Sequence, residues 1–439
     1  MLKLSVYGWL EGNGSPSKWA KMAVDSQSMR WLIRGIEPSR MCCYNFRDRV
    51  GGVIEDIVSQ VLTNAIADGL VDPHIGVQDG TAVRAVASRH RLVNRKTLQQ
   101  RQEVLDQAIR EDEQGKPVEE GAPKWLAKTP DGRKEQQRRF EQAAKVLAER
   151  EQVNAARCKS KQLAARNLQV SLSEPEAPLG RDKEKVFCAL YTAQFVVEPS
   201  SLLIMTYDVF AQATDAGTLP KMAEKTRKVL GHYLDTMIAD GVYASLLDLR
   251  YCDESGIELI AGGTKKEDEK PIKGKKSKKP PKLDRSQFVW QPEEQTYLCP
   301  EGHTLKYHQK DRVSRRDGET LIENRYRCPP EHCMGCPRKL NCVDNPKKGR
   351  IIKRLEGQEF LDTHVEKMQT ERAKNLYKLR GQVIERAFAD IKQHRQGRRL
   401  HGRGLMRAKA EIGLMVFAQN FLTIIRLRKK RESDGSGGT

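Results

Sequence analysis

The stretch "RGQVIERAFADIKQHRQGRR", Arg380 to Arg399, places an acid, Glu385, in text otherwise dense in arginine and lysine. Ile384, Phe388 and Ile391 fall at helical spacing, so the segment reads as a helix with one apolar line and a basic surround. Glu385 sits beside that line. Taken alone, its carboxylate reads as an ion-pair partner of Arg386 or Lys378.

The basic character extends outward from this helix. Between Arg372 and Arg431 there are 17 Lys or Arg against three acids, Glu385, Asp390 and Glu411, so this segment supplies +14 of the net +20 of the 439-residue chain. The pI is about 9.5. A surplus of that size attracts polyanions, which makes nucleic acid the leading partner class. Anionic membrane is the competitor, but the longest apolar stretch, Ile412 to Ile425, is short for a span and contains Gln419, Asn420 and Thr423. The opening "MLKLSVYGWLEGNGSPSK" lacks a signal-peptide pattern, and a cytoplasmic protein is expected. At 38% hydrophobic and 31% charged residues, a soluble chain of two or three domains is expected.

Residues 1–72 read as helical, with Val53, Ile54, Ile57, Val58, Val61, Leu62 and Ile66 in one stripe closed by Gly69 and Pro73. "PHIGVQDGTAVRAVAS" then alternates like a short strand carrying Asp79. From Arg89 to about Asn167 the text is highly charged. Two long helices separated by "GKPVEEGAPKWLAKTPDG" suggest a hairpin, either a solvated spacer or an arm for dimerisation or DNA. "KVFCALYTAQFVVEP" and "SLLIMTYDVF" have the spacing of paired strands. A helix, a strand ending at Asp240, a helix and a strand over Ile257 to Ala261 come next. The order is that of a mixed α/β domain interrupted by insertions. Thr264 to Lys282 is low-complexity and lysine-rich, a mobile loop able to touch phosphates.

Asp79, Asp240 and Glu385 each stand where structure alone does not ask for an acid. Asp79 before Gly80 also reads as a turn residue, and Asp240 as a helix N-cap. Three carboxylates meeting beside a basic surface would suit hard divalent cations, which take oxygen ligands. Two such ions stabilise the entering and leaving oxygens of an in-line phosphoryl displacement.

"YKLRGQVIERAFADIK" resembles the tyrosine–arginine–glutamate–lysine signature of bacterial insertion-sequence transposases of the DDE type, here Tyr377, Arg380, Glu385 and Lys392. "QDGTAVRAVAS" is similar to the segment of that family's first aspartate, giving Asp79, and "IADGVYAS" to that of the second, giving Asp240. "LYTAQFVVEPSSLLIM", "PSRMCCYNFRDRV" and "GRGLMRAKAEIGLMVFAQNF" are similar to further blocks, so the likeness runs from about Pro38 to Arg428. Two departures stand out: Gly241-Val242-Tyr243 follows the second aspartate, and the acid after the strand-pair alanine-glutamine is Glu198, which is not taken as a ligand. The resemblance implies an α/β, ribonuclease-H-like catalytic core with a mixed sheet. It implies a transposase that cleaves element ends and joins the 3′-hydroxyl to target DNA with two Mg²⁺ (or Mn²⁺) held by Asp79, Asp240 and Glu385. Tyr377, Arg380 and Lys392 would bind transposon-end DNA, with Arg395, Arg398, Arg399 and Arg403 extending the basic grip. Double-stranded DNA, at terminal inverted repeats and target, is the implied partner of a homodimer, with no membrane. A metal-dependent nuclease and a domesticated DNA-binding relative are the rival readings.

Cys299, Cys328, Cys333, Cys336 and Cys342 cluster, and Cys333-Met-Gly-Cys336 has knuckle spacing. In a reducing compartment, clustering favours a metal over disulfides. A structural Zn²⁺, with His303 or His332 as substitute ligands, stands beside the alternative of reduced, partly buried thiols. The expected organisation is a helical DNA-binding or dimerisation domain (1–72), catalytic core (73–88), helical insertion (89–170), core (171–261), lysine- and cysteine-rich insertion (262–361), core with the Glu385 helix (362–431) and a disordered tail (432–439).

Overall fold

The N-terminal periodicity resolves into five helices: α1 (Leu2–Leu10), α2 (Pro16–Asp25), α3 (Gln27–Leu32), α4 (Arg40–Val50) and α5 (Ile54–Ala67). Ser26 and Ser39 cap α3 and α4 by accepting from the amides of Met29 and Cys42, which satisfies donors the helix itself leaves open. In α5 the residues Ile54, Val58, Leu62 and Ala65 form the buried stripe. This computed structural model describes residues 1–115, 121–157, 159, 162–182, 184–262, 283–314 and 320–436. The lysine-rich loop expected at Thr264 to Lys282 lies outside them. The described chain is a mixed α/β protein and divides into two compact units, residues 1–237 with 379–439, and residues 238–378.

In the first unit, β1 (Ile75–Arg84) leads to β2 (Leu92–Val93), then to an arm of α6 (Arg95–Glu113) and α7 (Pro130–Ala155) that returns through β3 (Val170–Ser171). β2 and β3 pair antiparallel and pinch the arm at its neck. The arm has its own core of Leu98, Leu105, Ile109, Phe140, Ala143 and Leu147. Arg133, 2% exposed, forks onto Asp112 and also donates to the Ala127 carbonyl at 2.7 Å. Next come β4 (Leu179–Arg181), β5 (Phe187–Val197), β6 (Ile204–Phe210) and α8 (Leu219–Leu230). β5 pairs antiparallel with β1 along one edge, and with β6 and the short β4 along the other. The strand β7 (Thr236–Ala239) carries the chain into the second unit.

That unit holds α9 (Leu246–Glu254), β8 (Glu258–Ala261) and a five-stranded antiparallel sheet of β9 (Val289–Gln291), β10 (Thr296–Leu298), β11 (Thr304–Ser314), β12 (Thr320–Arg327) and β13 (Ile351–Leu355), in the order β13-β12-β11-β10-β9. Short helices α10 (Pro330–Gly335) and α11 (Lys339–Cys342) interrupt it, and α12 (Gln358–Lys367) follows. Phe288, Tyr297, Leu305, Tyr326 and Ile352 form its core, with Trp290 packed against it and Arg354 stacked over the Trp290 ring at 4.3 Å.

The helix α13 (Glu371–Ala389) returns the chain to the first unit, where α14 (Leu405–Ser436) completes it. Ile412, Leu414, Met415, Val416 and Ala418 of α14 are buried. Asn420, itself buried, accepts from the Ile204 amide at 3.0 Å and donates to the Ile204 carbonyl at 2.8 Å, fastening α14 to β6. Between Leu405 and Asp434 this helix is long and apolar enough to cross a membrane, yet 61% of its apolar window is buried inside the protein, as in a core helix. Helix runs on to Ser436, the last of the described residues.

Candidate active site

Asp79 stands in the middle of β1, opposite Phe195 of β5, so it is a strand residue and not the turn residue its Asp-Gly dipeptide suggests. The glycine has a different purpose there. Gln194 donates to Asp215 at 2.6 Å, and a Cβ on Gly80 would meet that pair within 2.1 Å. A side chain at this position would have to push that pair aside, and glycine leaves it in place. Asp79 Oδ1 accepts from the Gly80 amide at 2.7 Å, and Oδ2 accepts from Arg380 Nη2 at 2.8 Å. Both side chains of that ion pair are mostly buried, 14% and 21% exposed.

Arg380 belongs to α13, which also carries Glu385. Phe388, three residues beyond Glu385, packs edge-on against Phe195 at 5.9 Å, so α13 lies over the part of the sheet that bears Asp79. Glu385 is exposed. Among the described residues it enters no ion pair with Arg386 or Lys378, the partners expected of a purely structural acid. It lines a cleft of about 380 Å³ with Arg84, Phe388, Lys392, Arg398 and Arg399.

Lys392 reaches this cleft through a π-helical turn, Asp390–His394, that directly continues α13. A π-turn inserts a residue into the helical repeat and re-aims the side chains beyond it. The Lys392 ammonium lies over the Phe388 ring at 5.8 Å. Arg395, expected on DNA, is 4% exposed; it pairs with Asp390 and donates to the Leu10 carbonyl, so it braces the chain instead of facing solvent. Arg398, Arg399 and Arg403 are exposed. The backbone of residues 398–400 adds to the end of β1, with Arg84 N–H donating to Arg398 O at 3.0 Å and Leu400 N–H to Arg84 O at 2.9 Å.

Sequence reasoning missed the acids across this cleft. Asp182 and Glu184, in the turn between β4 and β5, pair with Arg84, and Glu184 also takes Arg398 at 3.2 Å. The hydrogen bond that Arg84 donates to Asp182, reinforced by Glu184 and opposed by burial, pushes the Arg84 guanidinium further up. Burial acts to raise the Asp182 carboxyl, but the Val186 amide and Arg84 hold it below the usual carboxylate range. The periodicity of "GRDKEKVF" reads as a charged turn, and no sequence signal tied it to Arg398, more than two hundred residues away.

In the second unit Asp240 follows β7 directly and is exposed. Its Oδ1 accepts from the Gly241 amide at 2.5 Å and caps a single 3₁₀ turn, Gly241–Tyr243. Tyr377, on the first half of α13, packs against Gly262 at the end of β8. Glu198, in the first unit, is buried and accepts from the Ser200 amide at 2.9 Å and from the amide and hydroxyl of Ser201. It is a turn acid, with its oxygens fully engaged by donors.

Cys328, Cys333 and Cys342 belong to the core of the second unit and Cys299 borders it; Cys336 is half-buried. Burial, reinforced by Cys333, pushes the Cys328 thiol up to about 12. The rings of His303 and His332 stack on each other at 4.2 Å. Among the described residues no group of three or more His, Cys, Asp or Glu side chains is arranged to hold a metal ion. The expected zinc centre therefore finds no support among the described residues.

Residues 298–425 match a family model described as a transposase DDE domain. The match includes Tyr377, Arg380, Glu385, Lys392 and the clustered cysteines, and it supports an insertion-sequence DDE transposase. Neither a curated protein nor a solved structure matches the chain.

Proposed function

From its match to the transposase DDE domain, we propose that the protein is a DNA transposase that cleaves insertion-sequence ends and joins the freed 3′-hydroxyl to target DNA. The observation that carries this reading is the Arg380–Asp79 ion pair. It ties β1 to the helix that also sets Glu385 beside Lys392, Arg398 and Arg399 at one cleft. A ribonuclease-H-like core is part of the proposal, supported by the antiparallel pairing of β6, β5 and β1 with Asp79 on β1.

Asp79, Asp240 and Glu385 are carboxylates, the donors that hard divalent cations take. The Oδ2 of Asp79 already accepts a positively charged group. In this reading the three acids would hold two Mg²⁺, or Mn²⁺ in their place, and those ions would supply charge neutralisation at the entering and leaving oxygens. Lys392, Arg398 and Arg399 would hold the strand's phosphates against the Glu385 side of the cleft, each as a point or fork of positive charge. Arg403 and the basic end of α14 would extend that grip along the duplex, and the net +20 would draw DNA in at long range. The helical segment 1–72 is read as a DNA-binding or dimerisation element, with a homodimer pairing two terminal inverted repeats in the cytoplasm.

The test is a linear donor with labelled ends, incubated with Mg²⁺ and a supercoiled plasmid. Nicked ends followed by donor–plasmid joints are expected. Nicking without joints would leave a nuclease, and no nicking would remove both readings. Glu385→Gln is expected to abolish cleavage while end binding persists; a variant that still cuts shows that Glu385 is wrongly assigned.

A further inference from the structure

The turn that carries Asp240 is closed by the Tyr243 amide donating to the Asp240 carbonyl at 2.9 Å, and it packs against the end of β8. Gly241 lies against the backbone of Gly262: a Cβ at Gly241 would stand 2.6 Å from the Gly262 carbonyl oxygen. Gly262 in turn lies against the tip of Tyr377, whose Oη would be 2.3 Å and whose Cζ 2.8 Å from a Cβ on that glycine. The preceding carbonyl, Ala261 O, accepts a hydrogen bond from Nε2 of the buried His364 on α12 at 3.1 Å. So the end of β8 is held by α12 through His364 and by α13 through Tyr377, and Gly262 is the spacer that transmits this to Gly241. The Gly241 amide then donates to Asp240 Oδ1. Every link is van der Waals contact or a hydrogen bond at close range, and neither glycine tolerates a methyl group without something shifting.

We infer that Tyr377 is a positioning residue for Asp240, acting through Gly262 and Gly241. This rests on the reading of Asp240 as an active-site acid. The half-buried ring of Tyr377 faces the strand end with its hydroxyl, the part of the side chain that a phosphate contact would otherwise need. The side chain sets where the Asp240 carboxylate stands, and its loss releases the turn without removing a cation from the DNA surface. A misplacement of a reacting group by about 1 Å costs on the order of a hundredfold in rate, so the effect belongs to the chemical step and to the metal requirement.

The experiment uses the full chain and the variants Tyr377→Leu and Gly262→Ala. Amide hydrogen exchange in the segment 238–245 is read by mass spectrometry without metal or DNA. Single-turnover end cleavage is read against Mn²⁺ concentration, and end-DNA binding is read in chelator. Both variants are expected to exchange faster at Gly241 while the core of the first unit stays protected. Both are expected to cut more slowly by roughly a hundredfold with a raised Mn²⁺ midpoint, and to bind ends as the wild type does. Unchanged exchange at 238–245 in both variants overturns the inference, as does a loss of end affinity with an unshifted Mn²⁺ midpoint. If the wild type does not cut at all, the transposase reading fails separately, and the exchange data still decide whether Tyr377 fixes the Asp240 turn.

Discussion

Arg380→Ala removes the guanidinium that lies 2.8 Å from Asp79 Oδ2 in a pair whose side chains are 21% and 14% exposed. Fully exposed pairs are worth about 0–1 kcal/mol, whereas breaking a fully buried pair costs about 3–5 kcal/mol, because a charge is left uncompensated. The burial here lies between those limits, and leaving a mostly buried carboxylate short of a charged donor costs about 1–3 kcal/mol. That is the destabilisation expected in chelator, measured as a shift of the denaturant midpoint at constant slope. If Asp79 is an acid that accepts metal, a divalent cation replaces the lost charge in the variant. In the wild type the cation must first displace Arg380. At a Mg²⁺ concentration about ten times the dissociation constant, binding to the native state alone adds about 1.4 kcal/mol, so the gap between variant and wild type narrows. A loss below about 0.5 kcal/mol in chelator would show the pair to be an exposed one in effect. A gap that Mg²⁺ leaves unchanged or widens would refute the idea that guanidinium and metal share one carboxylate.

The arm offers a second test: Arg133→Ala leaves Asp112 without its buried fork and is expected to cost the arm roughly 3–5 kcal/mol, read as early proteolytic cutting within α6 and α7. Glu184→Gln removes a countercharge from Arg84 and Arg398, so non-specific DNA affinity should rise and the log–log salt slope should steepen by about 0.9 per cation freed; an unchanged slope would show that these cations do not meet phosphate. Burial pushes both Cys252 and Cys328 up to about 12. A thiol raised in the folded state contributes stability below the ordinary thiol value of about 9, and loses it as pH rises through the folded value. At pH 8 alkylation is therefore expected at exposed Cys42 first and at Cys252 and Cys328 last, by peptide mass spectrometry; rapid labelling of Cys328 would contradict its burial.

Much of the architecture could be read from local periodicity. The stripe Ile54, Val58, Leu62 gave α5, the two charged runs gave α6 and α7, and the apolar runs gave β5 and β6. The sheet β9–β13 was not legible, and the reason is physical. It carries cross-strand ion pairs, Arg325 with Asp311 and Lys353 with Glu323 at 2.8 Å, and Lys310 pairs with Glu356 just beyond β13 at 3.0 Å. Charges of that density hide the alternation that announces a strand. At the candidate site, the helix of Glu385 and the strand of Asp79 could be placed from spacing. The burial of Arg395 and the reach of Glu184 to Arg398 depend on where distant segments meet. A basic residue in sequence carries no mark of whether an acid such as Asp390 will claim it.

The two-residue ribbon of β2 and β3 has a consequence for how the sheet can assemble at all. β1 ends at Arg84 and β5 begins at Phe187, so their pairing must close a loop of roughly a hundred residues. Once the arm has folded on its own core and its neck is zipped, the effective loop shrinks to roughly twenty residues, which lowers the closure entropy by about 1.4 kcal/mol. The arm thus works as a self-contained cassette that shortens the search for the strand partner of Asp79. Its entry and exit lie one strand spacing apart, about 5 Å, so a short turn could replace the whole arm without stretching the strands on either side.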